Sequence, residues 1–259
     1  MPYALITGAS KGIGKAIAEE LAAMQTDLIL VARSGSLLKE IASDLSNRYG
    51  IKADHLAIDL SDPTASSQIN DWLKQKGYAV NILVNNAGYG LSGPFETYSA
   101  KENRDMMQVN MTVPVELSSL LIPELKKHPK SYILNIASAA AYQAVPGLMV
   151  YAATKSFLLS FSRGLAFELK KTNISVSVVS PGGTDTDFAN RAKVGSKAVK
   201  AGEKLNMTPE AVAKLAVKAM FAGKTESITG FINQLGSFFV WLLPKKLVES
   251  SAAGIYKKD

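Results

Sequence analysis

Short apolar runs alternate along this chain with longer segments of helical period. The runs at 3–7, 27–32, 54–59, 81–85, 131–137 and 174–180 are rich in Ile, Leu and Val, as in Asp27-Leu28-Ile29-Leu30-Val31-Ala32. They predict strands. Amphipathic patterns near 12–24, 34–49, 63–76, 101–127, 151–171 and 208–222 predict helices between and after them. Strand followed by helix, repeated this regularly, predicts βαβ units. The expected fold is α/β, a doubly wound and mostly parallel sheet with helices on both faces. No repeat, low-complexity tract or Pro/Ser-rich linker divides the 259 residues, so residues 1–259 are read as a single domain.

The rhythm breaks after Pro181-Gly182-Gly183. Segment 182–207 carries Arg191, Lys193, Lys197, Lys200 and Lys204 against Asp185, Asp187 and a single Glu, Glu203. An insertion beyond the carboxyl end of a strand lies where open α/β sheets bind ligands, so it is read as a substrate lid. The alternative is a solvated basic helix. The last part, about 230–259, is a tail whose section Phe231 to Leu243 is too apolar for an exposed terminus. Three roles are open for it: packing on the core or a subunit interface, a wall of the substrate pocket, or an interfacial membrane anchor.

Composition narrows the classes. Hydrophobic residues make up 47% and charged residues 20%, enough apolar mass for a sizeable core. Cysteine is absent, which excludes disulfides and thiol nucleophiles. His55 and His128 are the only histidines, so no multi-histidine metal centre is expected and the metal set is none. Lysine and arginine exceed the acids by 29 − 22 = +7. No basic strip with interleaved aromatics accompanies that excess, so nucleic acid is not an expected partner. Tyr3-Ala4-Leu5-Ile6-Thr7 reads as a strand close behind Met1, with no signal-peptide pattern before it. Neither uncharged stretch, 131–154 nor 227–244, holds the roughly 20 consecutive apolar residues of a spanning helix. A cytoplasmic protein is the expectation, with membrane contact not expected except through the tail.

Chemistry gathers at the carboxyl ends of the strands. The first strand runs into Thr7-Gly8-Ala9-Ser10-Lys11-Gly12-Ile13-Gly14 and then a helix. Glycines there let the backbone turn tightly and approach a pyrophosphate, which the free N–H groups of the helix start stabilise. The spacing is G-x-x-x-G-x-G. Asn85-Asn86-Ala87-Gly88 follows the fourth strand, Ser138 the fifth, and Tyr151-x-x-x-Lys155 opens the next helix, thirteen positions after Ser138. Pro181-Gly182 and Thr186 follow the sixth. This ordered set, over residues 3–186, resembles the short-chain dehydrogenase/reductase family, which has a Rossmann-type fold.

The residues themselves point the same way. Four positions apart on a helix, Tyr151 and Lys155 share a face. A free phenol has a pKa near 10, and a nearby ammonium lowers it. Tyr151 then becomes a usable general acid or base. The resemblance implies the remaining roles. Ser138 would bond the substrate carbonyl, and Lys155 would also hold the nicotinamide ribose. Asn110, in Gln108-Val109-Asn110, would support a water in the proton relay; a helix-kink residue touching only backbone is the alternative. Asn86, Ala87 and Gly88 would line the ribose side of the cofactor, with Asn85 bracing the sheet. Asp59, followed by Leu60, would meet the adenine, unless it is a plain helix cap. Pro181, Gly182, Thr184 and Thr186 would border the nicotinamide, while Gly8, Ser10, Lys11, Gly12, Ile13 and Gly14 cradle the phosphates.

The second strand ends Val31-Ala32-Arg33-Ser34. A site that prefers NAD offers a carboxylate about 20 residues beyond the glycines. Here Arg33 stands instead, with Lys11 in the glycine loop, and two cations suit a 2′-phosphate. NADP(H) is the expected cofactor.

The expected activity is NADPH-dependent carbonyl reduction, or the reverse alcohol oxidation, on an apolar ketone or aldehyde. A catalytically idle NADPH sensor or scaffold of the same fold is the alternative. The full set Asn110, Ser138, Tyr151 and Lys155 argues against it. An epimerase or dehydratase of the longer family branch would need another glycine pattern and a larger substrate domain. Phe157, Leu158, Leu159, Phe161, Leu165, Phe167 and Leu169 wrap most of the 151–171 helix. One sheet contact cannot bury them all, so a homodimer or homotetramer is expected unless the 208–222 helix and tail cover the second side.

Overall fold

The computed structural model describes residues 2–192 and 206–256. Seven parallel strands form one sheet in the order β3-β2-β1-β4-β5-β6-β7. The strands are β1 (Tyr3–Thr7), β2 (Asp27–Ala32), β3 (Ala53–Ala57), β4 (Val80–Asn85), β5 (Ser131–Ile136), β6 (Ile174–Ser180) and β7 (Glu226–Ile228). The main helices are α1 (Gly12–Ala23), α2 (Gly35–Tyr49), α3 (Ala65–Lys76), α4 (Ala100–Met107), α5 (Val113–Leu125) and α6 (Met149–Leu169). Beyond β6 come the short α7 (Phe188–Arg191), then α8 (Pro209–Phe221), α9 (Phe231–Leu242) and α10 (Lys245–Tyr256).

The strand sequences explain the layering. In β1, Ala4 and Ile6 enter the apolar layer shared with α1, α2 and α8, while Leu5 enters the layer shared with α3 and α5. In β2, Leu28 and Leu30 face the first layer and Ile29 and Val31 the second. A strand covered on both faces needs apolar residues at every position, hence the unbroken runs. Strand order reverses between β1 and β4, which opens a crevice at their carboxyl ends.

Four expectations need correction. The pattern at 101–127 is not one helix. Pro114 has no N–H to give the Asn110 carbonyl four residues back, and the chain widens into a π turn at Gln108–Thr112, where Val113 N–H bonds Gln108 O. β7 was not anticipated, because three half-buried residues leave too short a pattern. The tail forms two helices, not an irregular extension. It packs on the domain only in part: Ala252 of α10 is buried, while α9 has no buried residue. The lid reading at 182–207 falls largely outside the described residues, including Lys193, Lys197, Lys200, Glu203 and Lys204; only 182–192 and 206–207 are described.

Candidate active site

The glycine loop sits at the switch point and is sewn to β4. Thr7 Oγ1 accepts from the N–H groups of Asn86 and Ala87, each at 3.1 Å. Asn86 Nδ2 donates to the carbonyls of Thr7 (3.0 Å) and Gly8 (3.2 Å). Asn86 therefore shapes the loop with its side chain, and Asn85 braces the sheet through Asn135 at 2.9 Å. Gly8 has φ +68°, and a Cβ there would lie 2.8 Å from Ala87 Cα. A Cβ on Gly14 would run into the Gly8 carbonyl and the Asn86 amide. Lys11 is the extended N-cap of α1, without a side-chain cap, and the first turn carries no acid. The open amides and bare backbone fit a dinucleotide pyrophosphate.

Ile13 packs against the core behind this loop. On its open side, a Cβ on Gly12 would approach the Thr186 methyl at 3.0 Å, so Thr186 closes over the loop. Lys11 Nζ pairs with Asp187 at 3.4 Å. Both side chains are exposed, so the pair contributes about 1 kcal/mol or less and yields readily to an anion.

The candidate acid–base pair lies on the first turns of α6. Tyr151 and Lys155 are both buried. Lys155 Nζ donates to Ile136 O at 2.8 Å and lies 5.8 Å from the centre of the Tyr151 ring. Burial pushes the Lys155 ammonium down to about 8. A Cβ on Gly88 would sit 3.1 Å from Lys155 Nζ and 3.2 Å from Asn110 Oδ1, which places these three together. Asn110 Nδ2 donates to Tyr89 O (2.9 Å) and Thr154 Oγ1 (3.0 Å), while its Oδ1 accepts from Tyr89 N–H (3.1 Å). Asn110 thus clamps the loop after β4 onto α6. Ser138 stands two residues beyond β5 and caps the 3-10 turn Ala139–Tyr142, its Oγ accepting from Ala140 N–H at 3.1 Å. Ser156 Oγ ties α6 to that turn through Ala141 O at 2.6 Å.

Sequence reasoning missed several neighbours. Phe188 packs against Tyr151 in a tilted pair with ring centres 5.0 Å apart. Together with Met106, Val145, Leu148, Tyr89 and Leu91 it surrounds the tyrosine with apolar surface. An isolated aromatic at the start of a four-residue helix gives no periodic signal, so Phe188 was not legible. At the other end, Arg191 lies 4.7 Å over the Tyr89 ring. Burial, then the charge of Arg33, lower its pKa, while Tyr89, Asp59 and Asp187 act to raise it. Arg191 therefore lies near Arg33 and Asp59. Asp59 follows β3 by two residues and accepts from Ser61 N–H (3.0 Å) and Oγ–H (2.9 Å). Burial raises its pKa, but the Ser61 bonds and the charges of Arg33 and Arg191 outweigh that and hold it below the usual carboxylate value. Leu60 is buried beside it. Thr184 Oγ1 donates to Gly182 O at 3.2 Å, beyond the Pro181 that ends β6. No group of three or more metal-ligating side chains occurs among the described residues.

Known proteins share this fold. A chain titled as a short-chain dehydrogenase from Sphingobium yanoikuyae in complex with NADPH superposes with a TM-score of 0.82 at 28% identity, covering 98% of this chain and 94% of that one. The very-long-chain 3-oxoacyl-CoA reductase-A of Danio rerio is 37% identical over 69% of this chain, a match that spans only 57% of that protein. The 3-oxoacyl-[acyl-carrier-protein] reductase of Aquifex aeolicus is 31% identical over 71% of this chain and 74% of its own length. The sequence profile of the short chain dehydrogenases matches residues 2–196, the stretch that carries the glycine loop, Asn110, Ser138, Tyr151 and Lys155. The chain belongs to the short-chain dehydrogenase/reductase family of oxidoreductases.

Proposed function

We propose that this protein is an NADPH-dependent carbonyl reductase acting on an apolar ketone or a 3-oxoacyl thioester. The observation that carries the proposal is Tyr151, held beside a buried Lys155 and walled by Phe188, Leu148 and Val145. The bound nicotinamide supplies the hydride. Ser138 orients the carbonyl oxygen, and Tyr151 delivers the proton to it as charge develops there. The Lys155 ammonium holds the ribose hydroxyls, stabilises the phenolate that remains and then passes a proton to it, becoming neutral. Asn110 positions Tyr89 and Thr154, and its carbonyl, which Pro114 cannot claim, supports the water that returns a proton to Lys155. Arg33, Lys11 and Arg191 hold the 2′-phosphate. The NADPH complex of the Sphingobium relative supports the cofactor, and the two 3-oxoacyl reductases support the substrate class.

The test is turnover. NADPH oxidation is measured along a series of 3-oxoacyl thioesters and ketones of rising chain length. The expected kcat/KM rises about fourfold per methylene that reaches apolar surface, from roughly 0.8 kcal/mol per buried CH₂. A flat series, or a preference for small polyols, would overturn the apolar reading.

Lys155 adds a pH dependence. It binds ribose as an ammonium, and its pKa is lowered to about 8. Affinity for NADPH is therefore level below that pH and falls as the proton leaves, approaching about tenfold per pH unit well above it. Titration of NADPH fluorescence should show this decline, and Lys155→Gln should bind weakly with the step removed.

The same reading extends to assembly and location. Phe167 and Phe157 on α6 and Leu120 on α5 remain exposed. Within the chain α8 packs on α1, and α9 against the 3-10 turn after Ser138. A second subunit on the α5–α6 surface would cover those side chains, in a cytoplasmic homodimer or homotetramer.

A further inference from the structure

Helix α9 is built inside out. Its polar strip, Asn233 and Ser237 at i and i+4, faces the domain together with the apolar Val240 at i+7. Asn233 Nδ2 donates to Thr229 O at 2.8 Å, and its side chain sits where a Cβ on Gly182 would be. Gln234 Nε2 donates to Ile228 O at 2.9 Å. Phe231, Leu235 and Phe238, at i, i+4 and i+7, form the outward stripe; Trp241 and Leu242 are exposed as well, on the rim of a cleft beside Tyr142. Phe231 is 77% and Trp241 79% exposed. A surface helix normally has the reverse polarity, so this face has an occupant.

Two observations choose it. The first is size. Twelve residues make a helix about 18 Å long, while a stable protein interface takes about 800 Å² and some 20–30 residues from each partner. This single helix is well short of that. The same length is far under the roughly 30 Å needed to cross a bilayer, so α9 can only lie flat on one. The second is charge. No Asp, Glu, Lys or Arg occurs from Ser227 to Pro244, and the first charges after the helix are Lys245 and Lys246 in a chain of net charge +7. An apolar helix with an interfacial tryptophan, ending on adjacent lysines, complements lipid tails flanked by anionic headgroups.

We infer that α9 seats the protein on an anionic membrane surface, with Phe231, Phe238, Trp241 and Leu242 in the acyl boundary and Lys245 and Lys246 at the headgroups. Since Asn233 rests on Gly182, the seat adjoins the catalytic cleft. The inference stands apart from the reductase reading and needs no turnover to test.

The full chain is floated with vesicles of phosphatidylcholine alone and of phosphatidylcholine mixed with phosphatidylglycerol. The anionic vesicles should capture it, and the neutral ones at least about tenfold less. Phe238→Ser with Trp241→Ser should reduce capture by about tenfold or more, and Lys245→Gln with Lys246→Gln should remove the preference for anionic lipid. Circular dichroism checks that these variants fold. On the unmodified protein, lipids brominated in their tails should quench tryptophan fluorescence. Absence of capture at low ionic strength, capture blind to lipid charge, or absence of quenching would each overturn the inference. So would light scattering in which Phe238→Ser with Trp241→Ser splits an oligomer while vesicles capture nothing; the face would then belong to a second copy.

Discussion

Tyr151→Phe should fold, bind NADPH and lose about 10²–10⁴ of its turnover. The substitution removes one hydroxyl and keeps the ring. The contact with Phe188 at 5.0 Å and the packing among Met106, Leu148 and Ala152 therefore survive. Only the proton donor is lost. The loss should fall on kcat with substrate affinity nearly constant, because the proton matters as charge builds on the carbonyl oxygen. Steady-state kinetics on a verified substrate, with NADPH binding measured in parallel, decides the matter. Near-normal turnover would remove Tyr151 from proton transfer. Unchanged affinity with no turnover in the unmodified protein on any carbonyl substrate would favour an idle binding protein.

Arg33→Asp should invert cofactor preference. The unmodified protein should bind NADPH at least about tenfold tighter than NADH, a difference of roughly 1.4 kcal/mol. A charge-assisted bond to phosphate is worth about 1.5–3 kcal/mol, and a carboxylate in its place adds repulsion. The NADPH/NADH ratio should therefore fall by about a hundredfold or more, with NADH little affected. Arg191→Gln should lower NADPH affinity in the same sense but by less, since Arg191 shares its charge with Tyr89 and Asp59. Equal binding of the two cofactors by the unmodified protein would refute the assignment.

Much of this molecule was legible before any coordinates. A strand buried on both faces is apolar at every position, and a helix on a sheet shows its period, so six strands and the covering helices could be read from local pattern. The glycine loop, Ser138, Tyr151 and Lys155 were legible because their chemistry depends on spacing along one segment. Pro114 was also a readable signal of the break beside Asn110, since a proline withholds the N–H that a helix would give four residues back, and it was overlooked.

Tertiary structure decided what depends on contacts between distant segments. Phe188 against Tyr151 and Arg191 over Tyr89 join positions remote in sequence, and neither carries a local period. Asn110 reaching both Tyr89 and Thr154 is known only once α6 lies beside the π turn. The tail shows the division most plainly. Its sequence declared an apolar segment that must be covered. Only the docking of Asn233 on Gly182 turned the polar strip inward, because the ends of β6 and β7 offer carbonyls that an amide can satisfy and an apolar side chain cannot.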